Sequence, residues 1–70
     1  MALRTRVLEY LEKKPLDFFA LSKKLENIGV SELANELNNL LKAGYITKKN
    51  DLFHLTDRAR EYLKVERSST

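Results

Sequence analysis

Apolar residues recur along this chain at two different periods, and each change of period marks a change of element. The longest regular stretch runs from Val30 to Ile46, V-S-E-L-A-N-E-L-N-N-L-L-K-A-G-Y-I. At about 100° of rotation per helical residue, Leu33, Ala34, Leu37, Leu40 and Leu41 gather on one face. This stripe predicts an amphipathic helix starting at Ser31 or the residue just before it, ending at Gly44 and turning into a strand. The opposite face centres on Ser31, Asn35, Asn38, Asn39 and Lys42, with Glu32 and Glu36 at one edge. On either side the pattern is shorter. Ala2 to Lys13 places Leu3, Val7, Tyr10 and Leu11 on one stripe that Leu8 widens, and Lys13-Lys14-Pro15 closes that helix. Pro15-Leu16 reads as an extended link. Asp17 suits the N-cap of a second helix, F-F-A-L-S-K-K-L, with Phe18, Leu21 and Leu25 inward and Lys23 and Lys24 outward.

Glu26 to Gly29 reads as a turn in which Gly29 is free to take a positive φ. Beyond Gly44 the period becomes two. Tyr45 to Lys48 has the aromatic and β-branched content of a strand, Lys48 to Asp51 reads as a turn, and Leu52 to Leu55 is a second strand. Phe53 and Leu55 share one of its faces, Leu52 and His54 the other. A hairpin is expected. Thr56 then caps a last helix from Arg58 to about Glu66, with Asp57 at its positive end, and residues 67–70 are expected to fray. The expectation is one domain over residues 1–66, mainly α with a small β-hairpin.

Asparagine is less favourable than alanine inside a helix by about half a kcal/mol, so three on one helix need a reason. Two readings stand: a solvated face held down by its leucines, or amides presented to the edge of adenine in a DNA major groove. Composition adjusts the balance. Thirteen Lys and Arg against ten Asp and Glu give a net charge of +3, a lean toward an anionic partner. Seventy residues bury only a modest core, for which self-association is a natural remedy. There is no cysteine, and the one histidine, His54, falls on the outer side of its strand, so no metal site is expected. Only Gly29 and Gly44 are available for a phosphate loop, and no nucleophile–base set assembles, so neither an enzyme nor a cofactor is expected. No apolar run approaches the ~18 residues of a membrane span, and M-A-L-R-T-R-V lacks the apolar block of a signal peptide, so a cytoplasmic protein is expected.

The order helix, link, helix, turn, helix, hairpin, helix is that of a winged helix-turn-helix domain. The stretch L-N-N-L-L-K-A-G-Y-I resembles the end of the recognition helix and start of the wing in MarR-like, ArsR-like and PadR-like transcription regulators, through Leu37, Leu40, Gly44, Tyr45 and Ile46. F-H-L-T-D-R-A-R-E-Y-L is similar to the return strand and following helix of the same superfamily, through Phe53, Leu55, Thr56 and Leu63. Two features depart from it: the turn E-N-I-G-V is long, and Ser22 stands where a small alanine is common.

The resemblance implies sequence-specific binding of double-stranded DNA. Bases would be read by Ser31, Asn35, Asn38 and Asn39, and phosphates held by Lys23, Lys24 and Lys42 on the helices and by Lys48 and Lys49 at the hairpin tip. Arg4 and Arg6 lie off the first apolar stripe and are expected to be solvated. Helices at the chain ends often form the dimer interface in such regulators, and apolar residues on more than one side of a small domain favour self-association independently. Leu8, Tyr62 and Val65 are the expected contacts in a homodimer, with Phe19 a further candidate. The rival is a winged-helix module that docks another protein, since the third helix carries Glu32 and Glu36 and no arginine.

Overall fold

The computed structural model describes residues 2–68. Its elements are α1 (Leu3–Lys13), α2 (Phe18–Lys24), α3 (Val30–Ala43), β1 (Ile46–Lys49), β2 (Leu52–Leu55) and α4 (Asp57–Ser68), a mainly helical chain with one antiparallel hairpin.

The ends of these elements follow local chemistry. The Asp17 carboxylate accepts from the Ala20 N–H at 2.8 Å and starts α2. The chain then turns through a 2.9 Å bond from the Ile28 N–H to the Leu25 carbonyl. This turn needs no left-handed residue: Gly29 sits at φ −63° as the N-cap of α3, not at the positive φ expected of it. At the other end of α3, Gly44 does take the left-handed conformation, φ 81°. Its N–H reaches the Leu41 carbonyl at 3.1 Å and the Tyr45 N–H reaches Leu40 at 2.9 Å, the paired bonds of a Schellman termination. That termination uses Tyr45, so β1 begins one residue later than expected.

β1 and β2 pair from Ile46 with Leu55 to Lys49 with Leu52. The turn is Asn50 and Asp51 alone, both at positive φ (50° and 65°), the arrangement of a two-residue type I′ hairpin. Lys48 and Lys49 are therefore strand residues and not the tip, because short polar side chains tolerate the left-handed region and lysine gains nothing from it. The link at Leu16 adds to the sheet: its N–H and carbonyl bond Phe53 at 3.4 and 2.8 Å, placing β2 between two extended segments. The Thr56 hydroxyl donates to the Gly44 carbonyl at 2.6 Å and accepts from the Ala59 N–H at 3.4 Å, fixing the start of α4 to the end of α3.

α1 is the central strut, packed against α3, β2 and α4. The core holds Val7, Leu8 and Leu11 of α1 with Leu16, Leu21, Leu25, Leu33, Leu37, Leu40, Ile46, Phe53, Leu55, Ala59 and Leu63. Leu8 is 0% exposed, so it has no surface to offer a second copy and the expectation that it lies in a dimer interface is corrected. Tyr62 is also engaged within the chain, with its ring 5.4 Å from that of Tyr45 and its hydroxyl donating to Glu66 at 3.1 Å. The same carboxylate accepts from the buried Thr5 hydroxyl at 2.6 Å.

The last helix does not fray at residue 67. Arg67 donates to both oxygens of Glu12, at 3.1 and 2.7 Å, and lies 3.8 Å from Glu9, which carries α4 on to Ser68. The rest of the expected tail, residues 69–70, lies outside the described residues. Among those described, no helix is long and apolar enough to cross a membrane.

Candidate functional site

Leu33, Leu37 and Leu40 seat α3 on the core, and this fixes which residues face outward. Ser31, Glu32, Ala34, Asn35, Asn38, Asn39 and Lys42 all lie on the outer side, and Ala34, expected on the core stripe, sits at its margin and is left uncovered. None of the three asparagine amides has a hydrogen-bond partner among the described residues. Each keeps its full set of donors and acceptors available.

Beside α3 runs an open groove of about 350 Å³. Ala34, Asn35 and Asn38 form one wall with Leu37 and Leu41 behind them, Phe18 and Phe53 contribute aromatic surface, and Lys48 stands on the hairpin side. Strand alternation accounts for Lys48. It shares a face of the hairpin with Ile46, Phe53 and Leu55, the face that packs on the core, and stands exposed across from Phe53 in the last pair of that face before the turn. Its ammonium is 5.5 Å from the centroid of the Phe53 ring, an attraction that steadies the charge at the groove. Lys49 belongs to the other face and points away from it.

The remaining expected contacts divide. Ser31, Asn39 and Lys42 continue the outer surface of α3 outside the groove lining. Lys23 folds over the ring of Phe19 at 5.3 Å, and Lys24 over the ring of Tyr10 at 5.5 Å, so Lys24 belongs to the α1–α2 surface. Of the three expected interface residues, Val65 alone is well exposed, at 60%.

The acidic edge of α3 is half neutralised. Glu36 is paired with Arg4 at 3.1 Å and its side chain is only 18% exposed, so Arg4 is an anchor and not a solvated cation. Arg4 also lies 5.6 Å from the Tyr45 ring, with Arg58 at 5.3 Å from the same ring. No local pattern announces this cluster, because Arg4 and Glu36 are far apart in the chain. The shifted titrations lie elsewhere: the hydrogen bond from Arg67 holds the Glu12 carboxyl below its ordinary value, with burial opposing, and Glu12 in turn raises Arg67. Among the described residues no cluster of His, Asp and Glu could hold a metal ion.

The site can offer bidentate amides, an exposed methyl group and one positive charge along a single concave strip. Compared with family models, with curated proteins and with solved structures, the chain matches none.

Proposed function

We propose that this chain is a winged helix-turn-helix domain that binds double-stranded DNA sequence-specifically, as a small cytoplasmic transcription regulator. The observation that carries the reading is the meeting of Asn35, Asn38 and Lys48 in one groove. A duplex presents bases and phosphates at a fixed offset, so a reader needs amides and a cation held at a fixed offset too. Here α3 supplies the amides to the major groove and the hairpin acts as the wing, with Lys48 on the flanking phosphate. Lys42 and Lys23 extend the phosphate contacts. Val65, exposed on α4, is where a second copy would pair to read a two-part site.

Docking of another protein is the alternative. It is favoured by Glu32, which has no partner among the described residues, and by the exposed Val30 nearby. The pairing of Glu36 with Arg4 weighs against it, since it leaves the groove wall without a negative charge.

A salt titration of duplex binding tests the reading. Counterion release makes affinity fall with salt by a slope of about −0.9 per phosphate neutralised. Lys48→Ala is expected to weaken binding to all duplexes alike and flatten that slope by about one unit. Lys49→Ala, on the far face of the hairpin, is expected to change both less. Binding with no salt dependence, or a Lys48 variant equal to the parent, contradicts the assignment.

A further inference from the structure

The chemistry of the groove wall selects among base pairs. In the major groove guanine offers two acceptors, best met by the paired donors of arginine, and no arginine occurs anywhere in α3. Lys42 is the helix's only cation and lies outside the groove lining, and the groove's own cation, Lys48 of β1, is the one assigned to the flanking phosphate. Adenine offers one acceptor and one donor, the complement of a carboxamide, and Asn35 and Asn38 both stand there with their amides unpartnered among the described residues. Thymine adds a methyl group, which needs an apolar neighbour. Ala34 supplies one: it is exposed, it lines the groove, and it lies one turn from Asn38, so a residue reading adenine and a residue touching the methyl of a neighbouring pair lie side by side.

We propose that this groove reads A·T pairs from the major-groove side, with Asn35 and Asn38 on adenine and Ala34 against thymine methyl groups. The inference rests on the DNA-binding reading and adds to it the class of sequence bound. Leu41 and Phe18, half-buried and packed against the core, line the same groove and add apolar surface near the site that would receive the methyl.

The experiment compares four duplex pools of equal length at one salt concentration: one randomised over A and T, one over A and U, one over G and C, and one over inosine and C. Uracil removes only the thymine methyl. An inosine–cytosine pair keeps the minor groove of A·T and carries the major groove of G·C, so it separates major-groove reading from recognition of a narrow minor groove. The A/T pool is expected to bind tightest. The A/U pool is expected to bind about three- to fivefold more weakly for each thymine methyl that Ala34 would have covered. The inosine and G/C pools, which lack the methyl as well because cytosine carries none, are expected to fall together, about five- to 150-fold below the methyl-free A/U pool for each asparagine deprived of its adenine.

Ala34→Ser, an exposed change that leaves the core untouched, is expected to abolish the difference between T and U while keeping the preference of the A/U pool over inosine. Asn38→Ala is expected to shrink the preference of the A/U pool over inosine while keeping the methyl effect. Four pools bound equally, a preference for G/C, an inosine pool equal to A/U, or an Ala34→Ser variant that still separates T from U would each overturn this inference and leave DNA binding standing. Failure to bind any pool would overturn both.

Discussion

Asn35 and Asn38 are where a structural and a functional account of the same residue make opposite demands. As part of a solvated face, each is a weak helix former whose replacement is simply favourable. As a base reader, each holds an amide outward at a cost to the helix and gains on binding. Asn38→Ala therefore separates the two by sign. Thermal unfolding of the free protein is expected to show a gain of about 0.5 kcal/mol. Binding to the preferred duplex is expected to weaken by about 1–3 kcal/mol, with little change on unrelated duplex. A more stable variant with unaltered binding would assign the residue to the solvated face. Ala34 is a related case: its position at the margin of the leucine stripe is plain in the sequence, but whether a small side chain there is covered depends on how closely the hairpin approaches.

At the scale of elements, the helices and both strands were legible because each carries its own period and its own caps. Asp17, Gly44 and Thr56 all act as boundaries where local chemistry places them. What could not be read was fixed by contact between distant segments. The hairpin turn shrank to Asn50 and Asp51 because the register is set by Ile46 against Leu55, and this moved Lys48 into the groove and Lys49 away from it. Gly29 looked like the flexible point, yet Gly44 alone of the two glycines uses a left-handed conformation. Gly44→Ala is accordingly expected to cost about 1–2 kcal/mol of stability, measured by urea unfolding. The added Cβ would meet only the Arg58 Cδ at 3.7 Å, an ordinary van der Waals distance, so the cost is one of backbone conformation. Gly29→Ala, with nothing within 4 Å of its Cβ, is the matched control and is expected to be tolerated. Equal losses of stability in the two variants would contradict this.

Over the whole molecule, a domain with one small core holds its ends together with polar bonds. Glu66 joins Thr5 to Tyr62, and Arg67 clamps Glu12 and Glu9, so α4 closes against α1 through residues that take no part in lining the groove. The clamp gives a pH dependence of definite sign. The Glu12 carboxyl titrates below its ordinary 4.5 in the folded chain, so its contribution is complete above that value and is lost as pH falls through the folded pKa. Arg67→Ala is expected to lower stability near neutrality and to narrow its gap to the parent progressively on acidification below the ordinary carboxyl value. A gap independent of pH would dissociate the clamp from Glu12. Nothing in this clamp lines the groove, so the variant is expected to bind duplex as the parent does. The most direct test of groove reading is a titration of isotope-labelled protein with A·T-rich duplex, following each backbone amide and asparagine side-chain signal by NMR. The side-chain amides of Asn35 and Asn38 and the backbone signals of Ala34 and Lys48 are expected to shift together and saturate together, while Glu12 and Arg67 stay unmoved. Shifts centred on α1 and α4 with a silent groove, or no shifts at all at low salt, would contradict it.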